Sequence, residues 1–100
     1  MKVEIPGQGK VIGFYGKDAQ TVIHMLNECA ELIQAISKIH RIGCGPDIPP
    51  DAYVNLVEEM AGCLIILEQL QEIYDIPDHE LQRMIDYKCA RQEARMNESA

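Results

Sequence analysis

The amino-acid sequence predicts an all-α protein, a helical bundle of about three main helices that follows an irregular N-terminal arm. Apolar residues recur at every third or fourth position in three long segments, which is the spacing of one helix face. Clusters of glycine and proline separate the first two segments, and a proline precedes the third. A chain of 100 residues corresponds to a single domain.

The predicted arm comprises residues 1–16, and the helical domain comprises residues 17–100. The arm holds four glycines and one proline, which disfavour a regular helix. Its stretch "KVIGFYG" is rich enough in β-formers to allow one short strand.

Residues that start or stop helices predict the helix boundaries. Asp18 can cap the start of the first helix, and Gly43 can end it. The loop "GCGPDIPP" leads through its proline pair into the second helix. The third helix begins at Pro77 or Asp78, and we expect its tail "NESA" to fray. The predicted helices therefore span about 18–40, 50–74 and 78–96.

The second helix is apolar on nearly all sides in the stretch "AGCLIIL", so we expect it to be buried on most faces. Three helices from one small chain cannot cover it, because a chain of this length buries only about 60–65% of its surface. A partner subunit that adds helices to a shared bundle would cover it. The sequence thus predicts a homodimer or a homotetramer.

Charge and composition exclude several classes of partner. The formal net charge of −7 argues against binding a nucleic acid polymer. No apolar run approaches the ~20 residues of a membrane span, and no secretory leader is recognised, so we expect no membrane partner and a cytoplasmic location. The four cysteines form no C-x-x-C pair, which disfavours zinc. Reduced thiols packed as small core residues are favoured, with disulfides as the alternative.

Acidic residues in the middle of the first two helices form a candidate metal site. Glu28 and Glu31 are three positions apart and share a helix face, and Glu59 lies on one stripe with Asn55 and Gly62. If the two helices pack antiparallel, these faces meet. Carboxylates among apolar neighbours are costly without a cation, and Mg²⁺ prefers such oxygens. A merely solvated acidic face is the alternative.

Three stretches carry a resemblance to a known family: "NECAELIQAISK", "NLVEEMAGCLIILEQL" and "IDYKCARQE". Over residues 16–95 the chain resembles the MazG-like family of all-α nucleoside triphosphate pyrophosphohydrolases, in particular the short single-domain copies often carried by phages. The family signature is E-E-x-x-E on one helix and E-x-x-D on the next, and its carboxylates hold Mg²⁺, which bridges the triphosphate. The resemblance also implies a bundle completed by dimerisation.

Matched by position, Glu28 and Glu31 correspond to the second and third glutamates of the first motif, and Glu59 corresponds to the glutamate of the second. Asn27 stands where the family has its first glutamate, and Gly62 stands where it has the aspartate. The resemblance therefore makes Gly62 a lost metal ligand, which would weaken Mg²⁺ binding and open space in the pocket.

Further residues are candidates for contact with a ligand. His24 lies one turn before Glu28, and Tyr15 offers an aromatic ring in an arm that can close over a ligand. Ordinary packing and surface charge are the alternatives for all of them. The cations that can pair with phosphate oxygens are Lys38, Arg41, Lys88 and Arg91, and Asn27, Asn55 and Gly62 complete the predicted pocket.

These expectations favour a binding protein over an enzyme. The retained glutamates with Gly62 predict a protein that sequesters a nucleotide or a nucleotide-derived immune messenger, such as a cyclic ADP-ribose-like molecule or a cyclic dinucleotide. For a phage-borne gene, the location would be the host cytoplasm, and the role would be anti-defence. The alternatives are an active Mg²⁺-dependent pyrophosphohydrolase, which converts NTP to NMP and pyrophosphate, and a helical interaction module without a small ligand.

Overall fold

The described residues form three long helices, as the sequence predicts, and they contain no strand. The computed structural model describes residues 4–7, 10, 13–14, 17–43 and 45–99, apart from the side chains of 17, 19–22 and 24. The helices are α1 (Lys17–Ile42), α2 (Pro50–Ile73) and α3 (Asp78–Ser99). Within the arm, the described residues Lys10, Gly13 and Phe14 are helical.

The helix ends lie within about two residues of their predicted positions, except the end of α3, which lies three residues beyond. After α1, Gly43 takes a φ of 70° and its N–H bonds the carbonyl of Ile39 at 3.4 Å. This is the left-handed residue that commonly ends a helix. Helix α2 begins with Pro50 in its first turn, where a missing N–H costs nothing. It ends before Asp75, which takes a left-handed φ of 51°, and before Pro77.

Helices α1 and α2 pack against each other as an antiparallel pair. Glu28 of α1 lies against Gly62 of α2, and Glu31, one turn later, lies against Glu59, one turn earlier. The buried side chains of the described residues lie on these two helices and are Ala35, Ala52, Ile66, Gln69 and Ile73. The interface between α1 and α2 therefore holds the small core of the described chain.

Helix α3 packs on neither α1 nor α2 within the described residues, and none of its own residues is buried. Local pairs stabilise it instead. Gln82 donates to Asp86 at 2.9 Å, and the guanidinium of Arg91 lies 5.8 Å from the centre of the Tyr87 ring. The expected fraying of the tail is not seen in the helix bounds, since α3 continues to Ser99, whose hydroxyl donates to the carbonyl of Arg95.

The single chain leaves much apolar surface exposed. On α2, Val54 and Leu67 are 61% and 58% exposed, so the single chain does not cover all the apolar faces of the helix that the sequence predicts to be buried. On α3, an apolar stripe follows helical spacing and consists of Leu81, Ile85, Cys89 and Met96. The radius of gyration is 16.5 Å. A compact chain of 100 residues has a radius of about 13 Å.

Candidate metal and nucleotide site

Three glutamates meet on the face that α1 and α2 share. Glu28 and Glu31 project from α1 one turn apart, and Glu59 projects from α2 toward them. One carboxylate oxygen from each lies within 4.8 Å of the other two. Glu28 and Glu59 are half-buried, whereas Glu31 is exposed. These three residues, here called the glutamate cluster, are the ones that the helical spacing predicted.

The neighbours of Glu59 in the glutamate cluster raise the pKa of its carboxyl. The largest cause is a hydrogen bond with Glu31, which needs a proton on one of the two carboxyls. Partial burial adds to the shift, and so do the negative charges of Glu31, Glu28 and Glu58. A divalent cation between these oxygens would offset the repulsion among the three carboxylates. The donor set therefore fits a hard cation such as Mg²⁺.

Gly62 lies directly beneath the carboxylate of Glu28. A Cβ atom built on Gly62 would overlap Oε2 of Glu28 and would lie 2.9 Å from its Cδ. The glycine thus allows the Glu28 carboxylate to rest against the backbone of α2. This corrects the expectation that Gly62 opens space in the pocket, because the carboxylate of Glu28 fills that space.

Two cysteines flank the glutamate cluster, and neither was predicted to belong to the site. The Sγ of Cys63 donates to the carbonyl oxygen of Glu28 at 3.5 Å. Partial burial is the largest cause that raises the pKa of Cys63, followed by the charge of Cys29 and a hydrogen bond with it. The core prediction is wrong for Cys29 and Cys89, which are exposed, while Cys63 is partly buried. Cys29 directly follows Glu28, and Cys63 directly follows Gly62. This adjacency was the signal in the sequence that both cysteines lie near the site.

The polar residues predicted beside the glutamates on α1 and α2 have varied positions. Asn27 is exposed next to Glu28, and Asn55 is half-buried one turn before Glu59. Lys38 and Arg41 are exposed, roughly 10 Å and 15 Å further along the α1 axis than Glu31. The asparagines are therefore adjacent to the cluster, and the two cations lie beyond it.

The remaining predicted contacts are not assembled within one chain. Lys88 and Arg91 are exposed on α3, which does not pack on the helices that carry the glutamate cluster. Tyr15 lies outside the described residues. The backbone of His24 belongs to α1, but its side chain lies outside the described part of the structure.

No described helix is both long enough and apolar enough to cross a membrane. Comparison with protein-family models, with curated proteins and with solved structures gives no match for this chain. The likeness to the MazG-like family therefore stays a prediction from its motifs. The geometry of the glutamate cluster is the observation on which a function can be argued.

Proposed function

We propose that this chain binds a nucleotide, or a nucleotide-derived messenger, through a divalent cation held by Glu28, Glu31 and Glu59. The convergence of these three carboxylates supports the proposal. A bound Mg²⁺ would supply a Lewis acid that binds phosphate oxygens, since Mg²⁺ is usually held by a few carboxylates together with substrate phosphates. The chain's own part is to hold the cation and to orient the ligand.

Sequestration rather than turnover follows from the incomplete ligand set. The family signature has five acidic positions, and Asn27 and Gly62 remove two of them, which leaves three carboxylates. Efficient hydrolysis requires interactions that strengthen in the transition state, whereas sequestration requires tight binding of the ground state alone. A cation site with three carboxylates meets the second requirement more readily than the first. The phage-type resemblance makes an immune messenger of the host a suitable ligand class.

One observation favours an active pyrophosphohydrolase as the second candidate. The carboxylate of Glu28 occupies the volume that a side chain at position 62 would take. It can therefore offer an oxygen on the side where the family has its aspartate. In this case the Glu28 carboxylate would stand in for the missing aspartate, and nucleoside triphosphates would be cleaved to monophosphate and pyrophosphate.

The proposal includes a second copy of the chain. One chain exposes 7985 Å². A compact monomer of this mass exposes about 5,700 Å². The excess of about 2,300 Å² matches the area that one subunit buries in a large obligate dimer. A shared bundle would cover α2 and the apolar stripe of α3, and it could bring Lys88 and Arg91 to the phosphates.

Calorimetric titration tests the function directly. The wild-type protein is titrated with nucleoside triphosphates, ADP-ribose derivatives and cyclic nucleotides, with and without Mg²⁺, and the ligands are recovered for chromatography. We expect Mg²⁺-dependent binding of at least one compound, which is returned intact. Glu31→Gln should abolish this binding, because it removes a charged oxygen from the cluster. Glu58→Gln is the matched control and should preserve it, because Glu58 is not a member of the cluster.

Three outcomes separate the candidates. Intact ligand with tight binding supports sequestration. Appearance of monophosphate and pyrophosphate contradicts sequestration and supports the pyrophosphohydrolase. Absence of binding to every compound, with and without Mg²⁺, would overturn both and leave the helical interaction module.

A further inference from the structure

Two cysteine thiols lie side by side across the interface between α1 and α2. Cys63 donates from its Sγ to the carbonyl oxygen of Glu28 at 3.5 Å, and Cys29 is the residue that follows Glu28 on α1. Cys29 also contributes to the raised pKa of Cys63, which agrees with this placement of the two side chains. Two cysteines that are far apart in the sequence therefore lie at the same level of two facing helices.

The surroundings of the two thiols differ in a way that suits stepwise oxidation. Cys29 is exposed to solvent, and Cys63 is partly buried. A small oxidant in solution therefore meets Cys29 first. A disulfide needs an S–S distance of about 2.05 Å and Cβ atoms about 3.5–4.5 Å apart. The Sγ of Cys63 already lies against the backbone of residue 28, directly before Cys29, so a change of side-chain rotamer can bring the two sulfur atoms toward this geometry.

We propose that Cys29 and Cys63 form a reversible disulfide in response to hydrogen peroxide, and that this bond ties α1 to α2 beside the glutamate cluster. The bond would join the residue after Glu28 to the residue after Gly62. It would thus fix the distance between the two helices at the level of the cation site. The inference does not depend on the proposed function, since it rests on the thiols and not on any ligand.

The reaction balances in two steps. The thiolate of Cys29 attacks one oxygen of hydrogen peroxide, the O–O bond breaks, and the released hydroxide takes a proton to form water, which leaves a sulfenic acid on Cys29. The thiolate of Cys63 then attacks that sulfur, the S–O bond breaks, and the hydroxide leaves as a second water. Two thiols are oxidised and one peroxide is reduced. A dithiol reductant reverses the process by thiol–disulfide exchange.

Peptide mapping of the intact wild-type protein tests the bond. The reduced protein is treated with hydrogen peroxide, its free thiols are alkylated, and it is digested without reduction for mass spectrometry. We expect a peptide pair joined through Cys29 and Cys63 within one chain, while Cys89 is alkylated. Dithiothreitol should remove the link. The melting temperature of the oxidised protein should rise by roughly 10 °C or more, because the bond closes a long loop of the unfolded chain.

Matched variants make the result specific. Cys29→Ser and Cys63→Ser should each abolish both the linked peptide and the peroxide-dependent rise in melting temperature. Cys89→Ser, which removes an exposed thiol from α3, should retain both. The proposal is overturned if peroxide leaves both thiols free, converts Cys29 to a sulfinic acid without a link, or joins two chains through Cys89 instead.

Discussion

Replacement of Gly62 with alanine tests why a glycine occupies the middle of α2. The Cβ of alanine would overlap Oε2 of Glu28 and lie 2.9 Å from its Cδ, so the carboxylate must leave its present position. The atoms in conflict are at the end of a flexible side chain, and the backbone of α1 need not move. The substitution should therefore displace one member of the glutamate cluster and preserve the fold.

Gly62→Ala should change the stability of the protein little and its affinity for Mg²⁺ more. Alanine gains about 1 kcal/mol over glycine in a helix interior. A Glu28 side chain forced away from a staggered rotamer loses about 0.5–1.5 kcal/mol. These terms nearly cancel, so the melting temperature should move by less than about 8 °C. Affinity for Mg²⁺ should fall by about tenfold or more, which is about 1.4 kcal/mol, because one of three carboxylate ligands is displaced.

Two comparisons isolate the cause of the lost affinity, which calorimetric titration with Mg²⁺ measures. Gly62→Asp displaces Glu28 in the same way but adds a carboxylate, so it should bind Mg²⁺ more tightly than Gly62→Ala. In a Glu28→Gln background, Gly62→Ala should have little further effect, because the charged ligand is already absent. The reasoning is refuted if Gly62→Ala binds Mg²⁺ as well as wild type does, or if its effect is undiminished in that background.

Two further predictions concern pH and assembly. In metal-free buffer the raised pKa of Glu59 means that the folded state binds this proton more tightly than the unfolded state, so stability falls as pH rises from the usual value near 4.5 toward neutrality. In thermal melts, the stability of Glu59→Gln should fall less over this pH range than that of wild type. Equal dependence of stability on pH for Glu59→Gln and Glu58→Gln would contradict the prediction. Light scattering should give a dimer or tetramer for wild type and for Ala94→Lys, on the far side of α3. It should give a monomer for Ile85→Lys on the apolar stripe. A monomeric wild type at micromolar concentration would contradict this prediction.

The sequence predicted most of the secondary structure because the relevant signals are local. Apolar spacing identified three helices, and residues such as Gly43, Pro50 and Pro77 located their ends, since their backbone restrictions act within a few residues. The tail was the main error in the helix bounds. Hydrogen bonds within one turn, such as the one from the Ser99 hydroxyl to the carbonyl of Arg95, continue to the last residues of α3.

The glutamate cluster was predictable in part. The i,i+3 spacing puts Glu28 and Glu31 on one face whatever the rest of the chain does. Their meeting with Glu59 required the antiparallel pairing that a short connection favours. Lys88 and Arg91 could not be placed in this way, because their distance from the cluster depends on what α3 packs against, and in one chain it does not pack on α1 or α2.

The sequence by itself determined the three helices, the faces that their acidic residues share and the two departures from the motif of the family that the chain resembles, because these follow from identity and spacing along the chain. Only the tertiary structure decided that the Glu28 carboxylate fills the space above Gly62 and that Cys29 and Cys63 are neighbours. Contacts of this kind depend on the register of two packed helices and on individual rotamers. Neither the register of two helices nor a single rotamer can be read from the periodicity of one segment.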